Sequence, residues 1–282
     1  MHFRKKTYTV KSEKIKRPFR CILVSDLHSA DRDDYNRSVL RAVSDSHPDI
    51  ILCPGDIIIG RGDVPCDRGL DFMSALTHIA PVFFSNGNHE TELRKYSPAL
   101  YENFYSGIRS AGVHVLNNRS EHIMVKDNPI WIYGLELGLN KYRKFRIHHM
   151  SEKYLTDRIG VRKADGSFQL LLAHNPTFGD LYYRWGADLI VSGHYHGGLL
   201  RSPFSGRAMM SPYGFYYPKH GYGQYIWCDD TGTFRNTSDL FPAGENVPYG
   251  TNMITSSGLG DHEVPVRIFN PHELICIDIK EG

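Results

Sequence analysis

Six short motifs bring carboxylate, imidazole and amide donors into one recurring context: Asp26-Leu-His28, Gly55-Asp56, Gly87-Asn88-His89-Glu90, His174-Asn-Pro, Gly193-His194 and His196-Gly-Gly. Most of them follow a short run of β-forming residues. Residues 21–25 precede Asp26, 49–53 lead to Asp56 through Pro54-Gly55, 81–85 lead to Asn88, 169–173 to His174 and 188–192 to His194. In an open α/β sheet, residues just past the carboxyl ends of strands converge on one crevice. Aspartate, histidine and asparagine converging there could hold a cluster of divalent metal ions. Mixed nitrogen and oxygen ligation without thiolate suits Mn²⁺, iron or Zn²⁺. A carboxylate can span two such cations about 3.5–4 Å apart, and hydroxide held between them is a strong nucleophile at neutral pH.

Hydrophobic periodicity supplies the elements that would position these residues. Residues 7–11 alternate like an edge strand, with Tyr8 and Val10 on one face, and residues 21–25 read as a buried strand. Tyr35, Val39, Ala42 and Val43 make a helical stripe within residues 33–46 that stops before Pro48. Residues 70–79 and 99–111 read as further helices. Residues 113–116, 122–125 and 130–134 read as strands, the last beginning a second sheet. Residues 142–163 are polar and basic with weak helical periodicity and could cover the site, and 181–185 form a short helix. Residues 197–225 are rich in glycine, proline and aromatics (Phe204, Tyr213, Phe215, Tyr216, Tyr217, Tyr222), which suggests ordered loops and hairpins. Residues 229–250 are turn-rich and read as an exposed insertion, and 253–255 and 274–279 as closing strands of the second sheet.

The chain has 282 residues, 41% of them hydrophobic, which is enough for a large core. Ordered use of the motifs from residue 26 to residue 196 argues for one domain over 1–282, with a basic segment at 1–20. A net charge of +2 is too mild to demand a nucleic-acid partner. The five cysteines (21, 53, 66, 228, 276) include no CxxC pair, which fits reduced thiols in a cytoplasmic setting. Cys21, Cys53 and Cys276 sit in apolar runs and read as small buried hydrophobes. Residues 1–20 hold eight Lys or Arg against one Glu, with no apolar segment following, so no secretory signal is expected. No stretch approaches the roughly 18 apolar residues of a membrane span. The expectation is a soluble protein, at most in weak, salt-sensitive contact with anionic lipid at the inner membrane face.

Each motif alone says little. Gly-Asp recurs at Gly62-Asp63, Gly179-Asp180 and Gly260-Asp261, and ten other histidines lie outside the pattern. Arg61-Gly62-Asp63 reads as a turn. Asp67-Arg-Gly stands too far from Asp56 for a protein-phosphatase signature. Taken in order, however, the blocks D-x-H, G-D, G-N-H-D/E, H and G-H-x-H resemble the calcineurin-like metallophosphoesterase superfamily, over roughly residues 21 to 279. His174-Asn-Pro, Ser192-Gly-His-Tyr-His-Gly-Gly and the tail Ser257-Gly-Leu-Gly, Pro265-Val-Arg, Asn270-Pro-His-Glu-Leu look like one bacterial branch. That branch holds small, often membrane-associated phosphodiesterases and UDP-diacylglucosamine pyrophosphohydrolases. Leu199 departs from it, since the branch commonly has glutamine there.

The resemblance implies an α/β fold in four layers, a two-sheet β-sandwich flanked by helices. It places Asp26, His28 and His196 on one metal ion, Asn88, His174 and His194 on a second, and Asp56 between the two. His89 would stand over the phosphate without ligating metal, donating a proton to the leaving oxygen or stabilising its charge. Glu90 either orients that imidazole or caps the following helix, and the two readings are even. The implied reaction is hydrolysis of a phosphodiester or pyrophosphate bond in a phosphorylated small molecule or lipid-linked phosphate. A metal-dependent nuclease would need a basic track that the charge does not supply. A vestigial, non-catalytic metal-binding scaffold would be signalled by a lost ligand, and none is lost. Arg61, Arg143, Lys144, Arg146 and Arg201 are candidates for substrate contact, each to be set against an ordinary solvated charge. The aromatics after Gly198 could hold a base or acyl chain, or simply pack.

Overall fold

Strands that are apolar on both faces need cover on both sides, and this chain provides it with two stacked sheets and an outer layer of helices on each. The computed structural model describes every residue except 1, 29–32, 63, 147, 212–213, 215, 229–233, 237–249 and 262–265, and only the backbone of 234–236. In chain order the first half runs β1 (Phe3–Ser12), β2 (Phe19–Leu23), α1 (Asp33–Ser44), β3 (Ile50–Cys53), α2 (Asp67–Thr77), β4 (Val82–Phe84), α3 (Asn88–Tyr96), α4 (Pro98–Ser110) and β5 (His114–Val115). The second half runs β6 (Arg119–Val125), β7 (Asn128–Leu135), α5 (Glu152–Ile159), β8 (Phe168–Ala173), α6 (Gly179–Trp185), β9 (Leu189–Ser192), β10 (Leu200–Arg201), β11 (Ala208–Met210), β12 (Gly223–Trp227), β13 (Phe234–Asn236), β14 (Thr251–Thr255) and β15 (His272–Glu281).

The first sheet has the order β1-β15-β2-β3-β4-β5 and the second β13-β12-β14-β9-β8-β7-β6. Strands β2 to β5 run parallel in the first, and β7, β8, β9 and β14 in the second. Side chains of a strand alternate between faces, and the packing follows that period. Cys21, Leu23, Ile50 and Leu52 meet Ile130, Phe168, Leu170 and Val191 in the core between the sheets. Ile22, Ile51, Cys53 and Phe84 face outward onto Val39 and Val43 of α1, Met73 of α2 and Phe104 of α4. Leu171, Ala173 and Ile190 do the same against Leu155 of α5 and Leu181 and Trp185 of α6. Truncating wholly buried Leu170 to alanine would cost about 2–5 kcal/mol.

Three expectations need correction. The second sheet begins one strand earlier than expected, since β6 pairs antiparallel with β7. The C-terminal strand lies in the first sheet, not the second, between β1 and β2. Its burial on both faces suits a central position, which hydrophobicity alone assigns to either sheet. Residues 142–163 are helical only over Glu152–Ile159. The insertion expected at 229–250 lies almost wholly outside the described residues, as do Asp63, Tyr213, Phe215 and Pro265. The basic N-terminal side chains have protein partners: Lys14 pairs with Asp188 at 2.8 Å, Arg17 with Asp127 at 2.8 Å and Arg20 with Asp278 at 2.6 Å. Among the described residues no helix is long and apolar enough to cross a membrane.

Candidate metal centre

The parallel strands of both sheets end on the same side, and the chain turns sharply as it leaves each one. Asp26 and His28 follow β2, Asp56 follows β3, Asn88 and His89 open α3 after β4, His174 follows β8, and His194 and His196 follow β9. Asp26, His28, Asp56, His194 and His196 hold φ between 50° and 70°, the left-handed region that residues with a Cβ enter at a cost. The amide of Asp26 donates to Gly55 and that of His28 to Asp56, both at 3.2 Å, so two of these turns brace each other. Glycine is required where backbone passes a carboxylate. A Cβ at Gly87 would stand 2.2 Å from Asp56 Oδ1, and one at Gly193 would stand 2.2 Å from Asp26 Oδ2.

The side chains gather into one buried cluster. His174 Nε2 lies 2.9 Å from Asp56 Oδ2 and 3.8 Å from Asp26 Oδ1. His196 Nε2 lies 3.5 Å from Asp26 Oδ1 and 3.0 Å from His28 Nε2. His194 Nδ1 is 2.9 Å from Asn88 Oδ1. Among the described residues, Asp26-His28-His196, Asp56-His174-His194 and His28-Asp56-His89 each bring their donor atoms within 4.8 Å of one another. Asp56 belongs to two of these groups. All seven residues expected as ligands, and His89, therefore share one site.

Burial governs the electrostatics. It pushes the Asp26 and Asp56 carboxyls up to about 6; neutral His174 is held below the ordinary imidazole value for the same reason. His174 is fully buried, with its ring packed against both carboxylates. Two buried carboxylates beside several buried imidazoles make an oxygen and nitrogen donor set that a divalent cation fits. Other donors orient the carboxylates: Ser25 Oγ to Asp26 Oδ2 at 2.7 Å, the His194 amide to Asp26 Oδ1 at 2.9 Å, and the His89 amide to Asp56 Oδ1 at 2.9 Å.

His89 is fixed from behind. The Gly60 amide donates to its Nδ1 at 2.9 Å, so the neutral ring carries its proton on Nε2, which lies 4.0 Å from Asp56 Oδ2. Glu90 takes the capping role: its carboxylate accepts the Gly87 amide at 2.8 Å. It also accepts the amides of Asp56 at 2.9 Å and Ile57 at 2.8 Å, bracing the turn that carries Asp56. Burial pushes its carboxyl up to about 7.

Cavities open on either side of Tyr142 and Arg143. One, about 710 Å³, is lined by Asn88, His89, Lys95, Arg143 and Lys144; another, about 270 Å³, by His194, Tyr195, Tyr216, Tyr217 and Arg146. Arg143, Lys144 and Arg146 thus border the site, and Arg61 is exposed in the turn beside Gly60. Arg201 does not fit its expected part. It is 2% exposed, its guanidinium lies 3.6 Å over the Tyr222 ring, and it pairs with Glu273 at 3.3 Å. The β10 backbone, tied to Ile268, turns this arginine inward.

The sequence reading missed several supporting groups. Arg267 Nη2 lies 3.2 Å from His196 Nδ1, and Asn270 Nδ2 donates to the carbonyl of His196 at 2.6 Å. Both sit in the tail motif, which was their signal. Glu136, past β7, accepts from Asn86 at 2.9 Å and Thr91 at 3.1 Å and pairs with Arg94 at 2.8 Å, anchoring α3. No motif marked it.

Known proteins resemble this chain in sequence and in fold. An uncharacterized metallophosphoesterase of Aquifex aeolicus is 26% identical over 283 residues, covering 97% of this chain and 90% of that protein. Phosphodiesterase YaeI of Escherichia coli is 28% identical over 200 residues, covering 67% of this chain and 64% of its own length. Among solved structures, a 5'-nucleotidase precursor from Thermus thermophilus shares the fold with a TM-score of 0.53 at 14% identity, covering 87% of this chain. The NAD nucleotidase of Haemophilus influenzae does so with a TM-score of 0.53 at 12% identity, also covering 87%. The chain spans about half the length of these two structures, 50% and 46%. Residues 19–198 match the calcineurin-like phosphoesterase model, and the chain belongs to that family of metal-dependent phosphoric ester hydrolases.

Proposed function

We propose that the protein is a dinuclear-metal phosphoesterase that hydrolyses a phosphodiester or pyrophosphate bond. Asp26, His28 and His196 would hold one ion, Asn88, His174 and His194 the other, and Asp56 would bridge them. The nitrogen and oxygen donors suit Mn²⁺, iron or Zn²⁺. One observation carries the reading: in a fully buried site His174 Nε2 lies 2.9 Å from Asp56 Oδ2 and 3.8 Å from Asp26 Oδ1, three potential ligand atoms gathered on one point. Burial disfavours the charged form of both carboxylates, and a cation would offset that cost. When bound, the ions would supply Lewis acidity and a water of lowered pKa.

The chain's own groups do the rest. With Nδ1 engaged by Gly60, His89 presents an Nε2–H donor to negative charge developing on the leaving oxygen, a role of stabilisation more than full proton delivery. Arg143, on the rim of both cavities, would hold a phosphate oxygen or a neighbouring anionic group. The likeness to a phosphodiesterase supports a diester substrate. Protein purified without chelator should contain close to two transition-metal ions per chain and hydrolyse bis(p-nitrophenyl) phosphate. Undiminished hydrolysis after exhaustive chelation would defeat the reading.

A further inference from the structure

We propose that a further cavity, about 660 Å³, binds a small organic acid at a place separate from the metal centre. It lies between β1, the β10–β11 turn and the tail, with Arg4, Arg201, Phe204, Arg267, Phe269 and Glu273 on its walls. None of the candidate metal ligands lines it. A cavity of this order holds far more than a bare oxyanion. Its walls are tied together in advance. The Arg201 amide donates to the Ile268 carbonyl at 3.0 Å, and the Ser202 amide to that of Arg207 at 2.9 Å across the turn.

Arg201 is the buried cation of this cavity, and the protein uses only part of it. Nη2 pairs with Glu273 Oε1 at 3.3 Å, long for a charge-assisted bond. The guanidinium lies over Tyr222, whose hydroxyl donates to the same Glu273 oxygen at 2.8 Å. Nε and Nη1 make no hydrogen bond among the described residues. Buried donors are nearly always satisfied, so open N–H groups on a buried cation point to an occupant. An oxyanion reaching either edge of the planar fork would meet one of them. The charges on the wall agree. Glu273 offsets Arg201, and Asp261, 3.3 Å from Nε, offsets Arg267. Burial pushes His272 down to about 4, leaving it neutral at pH 7. Arg4 is exposed and makes no ion pair among the described residues, so one positive charge is left over.

Two aromatic rings give the rest of the ligand its character. Phe204 and Phe269 are 86% and 66% exposed at this cavity. Phe269 also holds φ 53°, a left-handed conformation that is an outlier for a bulky residue. Strained backbone and a ring left in water are both unfavourable, and such outliers gather where ligands are held. Apolar faces beside open guanidinium donors call for a molecule with an acid at one end and an apolar body at the other.

Calorimetric titration of the metal-loaded protein with 2-naphthalenesulfonate, which carries no phosphate to hydrolyse, tests this, with 2-naphthalenemethanol as the neutral counterpart. One sulfonate should bind per chain, and the alcohol about tenfold more weakly. Arg201→Met should weaken sulfonate binding about tenfold and Arg4→Ala severalfold, as for loss of a charge-assisted contact. Arg143→Ala, on the rim of the other two cavities, should leave it unchanged. Arg4 is exposed, so its variant decides the matter even where Arg201→Met fails to fold. Absence of sulfonate binding at millimolar probe, equal binding of the alcohol, or binding that depends on Arg143 and not on Arg4 would overturn the assignment.

Discussion

Asp56 and Glu136 are both buried carboxylates in loops just past strand ends, and their surroundings differ in kind. Glu136 is 5% exposed and fully engaged, with Arg94, Asn86 and Thr91 answering its oxygens. Asp56 is 2% exposed and faces the neutral imidazole of His174. The first is a brace that ties α3 to the loop after β7. The second has only imidazoles and backbone amides around it, and burial outweighs their help and pushes its carboxyl up to about 6. A buried acid with a protein cation on it holds structure together. A buried acid that faces imidazole nitrogens, as Asp56 does, can take a cation, whereas one filled by backbone amides, as Glu90 is, braces a turn.

The hardest blow to this contrast would come from activity. Asp56→Asn should lower kcat by at least ~10³-fold, several kcal/mol of barrier, and reduce metal content by elemental analysis. An active, fully loaded variant would break the comparison. His89→Asn should keep fold and metal while kcat falls roughly 10²-fold for esters with poor leaving groups, and less for p-nitrophenyl esters. Equal losses for both kinds of ester would leave His89 a positioning role only. Glu136→Gln should lower kcat merely a few-fold, through α3. A collapse as deep as that of Asp56→Asn in a folded protein would make Glu136 part of the chemistry.

Smaller and sharper is the expected opposition in stability of the metal-free protein. The folded pKa of Asp56, about 6, lies above its ordinary 3.8. Between those values the folded state binds more protons, so this residue's contribution falls as pH rises and is at its worst at neutrality. Metal-free Asp56→Asn should thus be stabler than the parent by about 1–3 kcal/mol at neutral pH, with little difference near pH 3. Glu136→Gln should be less stable by about 1–3 kcal/mol, its former partners being left unsatisfied. Urea unfolding at the two pH values reads both. Shifts of the same sign would dissolve the contrast.

The centre was legible in the sequence because polar residues directly follow apolar runs, and parallel strands bring their ends together whatever lies between. The placement of β15 was not, because its pairing with β1 joins residues at opposite ends of the chain and nothing local specifies it. Arg143 and Arg201 looked alike as charges. Only the tertiary fold sends one to the cavity rim and the other under Tyr222. Arg267 and Asn270 were visible as a motif, but that they support His196 depends on the tail folding back over it.

The left-handed backbone at Asp26, His28, Asp56, His194 and His196 sets the direction in which this protein would drift if released from its work. Glycine at any of the five would relieve about 1 kcal/mol of backbone strain. Selection for heat resistance blind to activity should accordingly gather glycine at these positions first. The same trend would empty the crevice of its donors, so the thermally optimal sequence for this fold and the sequence that performs hydrolysis are different sequences.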